Sequence, residues 1–241
     1  DGSAVVGDSV WMAMTTAAQN PAVRSTDLST NRDVARVFFS MASPRIITIA
    51  VVLCLTIRLF LWSWSVGDLL VIAGVLVFTG PLEWVIHKYL LHSEPTSFQA
   101  RTFGAGVSHR EHHVDPPALE YLVLSGPDAA VFTVLLGLAS AVWALPLLLI
   151  TGSAVALPML TAIAATYIGF ANYEWTHLLV HTRYRPTTRL YARLARNHRL
   201  HHFRNEQHWL GVTSNLGDRL LRTLPRHKAD VTLSDTARTL D

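Results

Sequence analysis

Residues 129–173 read AAVFTVLLGLASAVWALPLLLITGSAVALPMLTAIAATYIGFANY, 45 positions without one Asp, Glu, Lys or Arg. A helix needs about 20 apolar residues to cross a bilayer. The run therefore has room for two crossings, with Thr151-Gly152-Ser153 as the natural break. Upstream, 14 uncharged residues separate Asp68 from Glu83, and the apolar pattern continues through Trp84, Val85 and Ile86. Residues 46–66 carry one charge, Arg58, in 21 positions. The reading is an all-α integral membrane protein with four transmembrane helices, at about 46–64, 68–86, 128–149 and 154–175, paired into two tight hairpins.

Composition agrees. Of 241 residues, 50% are hydrophobic and 15% charged, with a mean hydropathy of +0.29. Ordinary soluble domains carry about 25% charge, so both a disordered chain and an ordinary soluble fold are excluded. With four spans, 19 of the 20 Lys and Arg share one side with both termini, and the two short hairpin turns carry none. That positive-inside bias places both termini and the segment 87–127 in the cytoplasm. It also assigns the net charge of +3 to the membrane surface rather than to nucleic acid. Arg58 is expected to snorkel outward beside Trp62 and Trp64. The one cysteine, Cys54, excludes a disulfide framework and any all-thiolate metal site. Lys88 and Lys228 are the only lysines against 18 arginines. This bias of GC-rich genomes points to a bacterial plasma membrane rather than the endoplasmic reticulum.

The domain boundaries follow. Residues 1–44 are a polar segment without the n-region, h-region and cleavage site of a signal peptide. Within it Val34, Val37, Phe38 and Met41 fall at i, i+3, i+4 and i+7 behind Thr30 or Asn31 as N-cap, which predicts a short interfacial helix. Residues 45–225 form the membrane-embedded domain, and 226–241 a polar tail.

Ten of the 12 histidines form four clusters at the cytoplasmic ends of the spans and in the segments after them. They are His87 and His92; His109, His112 and His113; His177 and His181; and His198, His201 and His202. On an α-helix, i and i+4 lie about 40° apart and i+3 about 60° the other way, so each H-x-x-H-H presents three imidazoles in one arc. His87 and His92 are i+5, about 140° apart on such a helix, so either the helix ends between them or they serve different parts of a site. Ten imidazoles are too many for one metal ion; shared between two, they leave an open position on each. Zn, Fe, Cu and Ni all accept imidazole, and the element stays open. A ligand histidine usually donates its second ring N–H to a carboxylate or a carbonyl, and Glu83, Glu111, Asp115, Glu174, Glu206 and Asp218 are placed near the clusters. His208 reads as a plain loop residue and His227 as a tail residue.

The four clusters, interleaved with these spans, resemble the fatty acid hydroxylase/sterol desaturase superfamily of membrane di-iron enzymes, most closely its fatty acid hydroxylases. The resemblance is carried by Tyr173-Glu174-x-x-His177-x-x-x-His181, by Asn197-His198-x-x-His201-His202-Phe203-Arg204-Asn205-Glu206, and by Gly211-Val212-Thr213-Ser214 with Asp218. It covers about residues 45–225. It implies a cytoplasmic helical cap that stands over the spans and carries the histidine clusters, and that all ten clustered histidines bind two Fe ions, with Zn an alternative occupant on purification. It further implies O2 as co-substrate and hydroxylation of an unactivated C–H bond of a membrane lipid, a fatty acyl chain foremost. Desaturation, or a sterol or carotenoid substrate, is the alternative. The chain departs from the family at Leu216-Gly217, where its hydroxylases often carry an aromatic pair, and no fused cytochrome b5 domain is expected from these 241 residues.

Electrons would come from a ferredoxin or a cytochrome b5-like partner docking on Arg183, Arg185, Arg189, Arg193 and Arg196. Gly104-x-Gly106 is no dinucleotide loop, because His109 stands where the third glycine belongs and no βαβ pattern surrounds it. A membrane metal-binding or transport protein is the rival of another class. It would place ionisable groups inside the spans, which are nearly bare here.

Overall fold

The apolar runs become helices whose ends are set by local chemistry. A computed structural model describes residues 23–185 and 187–240; the polar stretch before residue 23 lies outside the described residues. In order they form α1 (Asn31–Phe38), α2 (Ala42–Phe60), α3 (Val66–Ile86), α4 (Phe98–Thr102), α5 (Ala105–Val114), α6 (Gly126–Ile150), α7 (Ala156–Val180), α8 (Arg189–Phe203) and α9 (Leu216–Leu220). No strand occurs among the described residues. Thr30, Ser125 and Thr188 cap α1, α6 and α8 by accepting the backbone N–H three residues on, satisfying donors that the helix itself leaves unpaired.

The long helices α2, α3, α6 and α7 make a bundle in which α7 packs on all three others. Among the described residues three segments are long and apolar enough to cross a membrane: Ala42–Phe60, Val66–Leu91 and Leu119–Ile150. Helix α7 is as long as α6, at 25 residues, but holds the middle position, where its small Ala162 and Ala164 are buried. Outside, Ile49, Leu53, Leu69, Leu76, Leu138 and Val142 are all more than half exposed. An apolar belt of that extent is stable against lipid, not water.

Arg58 departs from the expectation of an outward snorkel. It is 1% exposed, with Nη2 2.8 Å from Asp68 Oδ1 and Nε donating to Thr161 at 2.8 Å. Its remaining N–H groups reach the carbonyls of Leu61 and Ser63, and the guanidinium lies 3.9 Å from the Trp64 ring centroid. This capture turns the chain back after Phe60, so α2 stops short of the expected residue 64.

At the opposite end of the bundle, α4, α5, α8, α9 and the C-terminal segment build a cap. The last residues fold back on it: Arg204 donates to the Val231 carbonyl and accepts from Ser234 N–H, and Val231 and Ala237 are buried. Helix α1 forms where the sequence predicts it, and its Val34 and Phe38 are buried in a cluster with Leu178 and Leu179 of α7. Helix α9 lies on α3 so closely that a Cβ on Gly217 would meet the Gly80 carbonyl oxygen at 2.7 Å. That approach accounts for the glycine at 217, where an aromatic is common in the resembled hydroxylases.

Candidate metal centre

All ten clustered histidines converge between the bundle and the cap, and they sort into two groups of five. His87, His92, His109, His113 and His201 bring one ring nitrogen each to within 4.8 Å of one another; so do His112, His177, His181, His198 and His202. The sorting follows helical geometry. The i, i+4 pair His109/His113 of α5 joins the first group, and the pair His198/His202 of α8 joins the second. The odd member of each triplet, His112 or His201, crosses to the other group.

The His87/His92 spacing is resolved by a π-turn. Helix α3 continues as π-helix over His87–Leu91, and the His92 N–H donates to the His87 carbonyl at 3.1 Å. An i→i+5 turn returns residues five apart to one face, and such turns are frequent at functional sites. The two rings stand 4.8 Å apart.

Four rings are oriented from behind by backbone carbonyls. Nδ1 of His87 lies 2.5 Å from Leu210 O, that of His113 2.7 Å from Ala237 O, that of His177 2.9 Å from Leu122 O and that of His201 2.9 Å from His208 O. A carbonyl only accepts, so Nδ1 carries the proton and Nε2 keeps a lone pair facing inward. Of the two kinds of partner the sequence leaves open, carbonyls fill this role and the carboxylates do not. They act one step further out. Glu174 accepts the Leu124 N–H at 2.9 Å, Asp218 accepts those of Leu210 and Gly211 at 2.9 and 2.8 Å, and Glu83 accepts from Val212 and Thr213. Each clamps a loop that presents a carbonyl to a histidine or adjoins one. Glu111 is exposed, Asp115 pairs with Arg24, and Glu206 accepts from Thr236.

No letter in the sequence signals the carbonyls of Leu122, His208, Leu210 and Ala237, since every residue carries one. Trp209, between two of them, takes a left-handed φ of 55°, which turns the carbonyls on either side to different histidines. His208 contributes this carbonyl and stays outside both groups of five; His227 does too.

The groups fit a pair of metal ions. Eight of the ten histidines are buried, and Nε2 of His92, His113, His177 and His201 and Nδ1 of His112, His198 and His202 are buried without a hydrogen-bond partner. Buried polar atoms are ordinarily paired; in the second group the Nε2 of His181 lies 3.1 Å from that of His112 and 2.8 Å from that of His198, which lies 3.0 Å from that of His202, and such a crowd of facing imidazole nitrogens is what a cation would satisfy. Burial, reinforced by neighbouring imidazoles, holds the pKa of His109, His112, His198, His201 and His202 well below the ordinary histidine value and that of His113 at about 4. The rings are therefore neutral near pH 7, the state in which histidine ligates.

Fold and site together define an all-helical protein of membrane character with a double histidine cluster of metal-binding geometry. The model of the fatty acid hydroxylase family matches residues 71–223, and the chain belongs to that family. Two dihydroceramide fatty acyl 2-hydroxylases of Arabidopsis thaliana, FAH2 and FAH1, are 34% and 29% identical over 161 and 160 residues, 67% and 66% of this chain. The chain spans 62% of the length of either. The solved structure of full-length scs7p, in which only the hydroxylase domain is visible, shares the fold with a TM-score of 0.59 at 22% identity, over 80% of this chain and 68% of that one.

Proposed function

We propose that this chain hydroxylates an unactivated C–H bond in the fatty acyl chain of a membrane lipid, with O2 as co-substrate and two Fe ions held by five histidines each. The observation that carries the reading is the convergence of buried, neutral imidazoles with unpartnered nitrogens on two points at the mouth of an apolar bundle. Bound iron would supply the activation of O2 and the hydrogen removal that no side chain here can perform. His87, His92, His109, His113 and His201 hold one ion, and His112, His177, His181, His198 and His202 the other. The carbonyls of Leu122, His208, Leu210 and Ala237 keep four of those rings in the ligating tautomer. The apolar walls keep water from the reacting carbon. The names of the plant relatives direct the substrate to an amide-linked acyl chain and the hydroxyl to its second carbon.

In this reading helix α7 is the fourth span; the charge asymmetry supports a cytoplasmic face for both termini and the cap, and the excess of arginine over lysine supports a bacterial plasma membrane. Arg189, Arg193 and Arg196 are exposed on α8 while its opposite face carries buried His198, His201 and His202. An acidic ferredoxin or cytochrome b5-like donor docking there would lie one helix thickness from the metal ligands.

The test is the full chain in detergent, loaded with iron, supplied with electrons and O2, and offered N-acyl sphingoid lipids. A hydroxylated product that disappears in His201→Ala, with about two irons per wild-type chain, is the expected result. A fully loaded, reduced chain that leaves every acyl lipid unchanged overturns the reading.

A further inference from the structure

We propose that a groove between α3 and α6, floored by α7, holds the acyl tail of the substrate, and that Trp143 seated on Gly74 sets the length of tail it admits. The proposal rests on the hydroxylase reading above and adds where the tail lies and what measures it.

Three cavities stand in line. The first reaches His109 and His177 under the cap, and Leu91, Leu124 and Tyr173 wall both it and the second. Thr79, Leu82, Leu136 and Thr166 wall both the second and the third, which ends at Trp143. The neck is the Tyr173 ring, which lies near-parallel to His177 at a centroid distance of 5.9 Å. Beyond that neck the path is apolar but for Glu83, whose carboxylate oxygens accept from the N–H groups of Val212 and Thr213 and from the Thr213 hydroxyl. Thr79 donates to the Val75 carbonyl, Ser140 to that of Leu136, and Ser140 and Thr166 pair at 2.7 Å, so these hydroxyls are turned back on the helices. Such a wall leaves a polar occupant without partners and suits a hydrocarbon chain.

The groove is open along one side. Phe78, Leu82 and Val85 of α3 line it and are 57%, 40% and 44% exposed on the apolar belt. A tail can therefore enter sideways from lipid. From Ile86 to Val75, eleven residues apart, the path runs about 16 Å along α3. At its end the Trp143 ring crosses from α6 to α3, where a Cβ on Gly74 would meet it at 2.7 Å, and Phe78 stands 6.1 Å away. Only glycine at 74 lets the indole lie flat and close the groove. Midway, Gly169 of α7 lines the floor, and a Cβ there would meet only Thr79, at 3.8 Å. A side chain added at 169 fills the groove without pushing the backbone.

Two variants of the full chain test this, Gly169→Leu as a plug and Trp143→Ala as an opened end. Each is compared with wild type on a graded series of N-acyl lipids and by photo-crosslinking of an N-acyl lipid with a diazirine at the methyl end, competed by unlabelled lipid. Gly169→Leu should keep its metal, lose turnover of long chains by about tenfold or more, and lose competed crosslinks at Phe78 and Trp143. Trp143→Ala should move the preferred chain length upward. Wild-type turnover with a length profile and crosslinks unmoved by either variant overturns the groove and leaves the hydroxylase reading intact. Competed crosslinks at Phe78 and Trp143 that Gly169→Leu abolishes, in a chain that hydroxylates no acyl lipid, uphold the groove and sink the hydroxylase reading instead.

Discussion

His201 and His202 are adjacent on α8, their ring planes 88° apart and centroids 5.4 Å apart, and they belong to different groups of five. Successive residues on a helix point about 100° apart, so one step in sequence is enough to change which ion a ring faces. His201→Ala and His202→Ala should therefore each cost about one metal ion per chain, from different sites. Elemental analysis counts the loss, and cobalt substitution with absorption spectra distinguishes which site remains. Identical spectra from the two variants would mean that the groups are not separate sites.

Asp218 touches no histidine, yet it holds the N–H groups of Leu210 and Gly211, and the Leu210 carbonyl holds His87. Asp218→Asn should weaken metal binding at the site of His87 by about 10–100-fold and leave the site of His177 near wild type, as read by competition with a graded chelator. Gly211→Ala should do more, because a Cβ there would lie 2.0 Å from the Ser214 carbonyl oxygen and force the loop outward.

The pair Arg58–Asp68 is 1% exposed at both ends. Arg58→Met should destabilise the chain by about 3–5 kcal/mol, since it strands a buried carboxylate, while Arg58→Met/Asp68→Leu should recover most of that loss. Thermal unfolding in detergent measures both. A single variant as stable as wild type would show the pair to be idle.

Burial lowers the pKa of the cap histidines, so the folded state binds fewer protons than the unfolded one below the ordinary histidine value of about 6.5. Stability of the metal-free chain should be flat above that pH and fall as pH drops through 6 toward 4, where His113 takes its proton. Bound metal should be released over the same range, because protons and metal compete for the same lone pairs. Metal retained unchanged at pH 4 would contradict imidazole ligation.

Much of this was legible in the chain itself, for physical reasons that differ by feature. The helices of the bundle follow from uncharged runs, and α1 from four apolar residues behind Thr30. The convergence of ten histidines follows from clusters at the ends of α3 and α7 and on a cap helix after each. The π-turn at His87–Leu91 was not legible, because HKYLL suits an α-turn equally well and only packing chooses between them. Nor was the fate of Arg58, since a long cationic side chain reaches either outward to water or inward to Asp68. Glu83, Glu174 and Asp218 were placed near the right loops, but they hold backbone N–H groups rather than imidazoles.

What the sequence determines alone is what depends on neighbours a few residues away: helix length, caps, the apolar character of the bundle and which residues crowd one helical face. What only the tertiary structure decides is what joins distant segments. His87 meets Leu210 across 123 positions and His113 meets Ala237 across 124. Encounters of this kind fix the tautomer of four of the ten rings. The physical reason is that a hydrogen bond to a carbonyl selects by position in space, and no residue type marks in advance which carbonyl will be there.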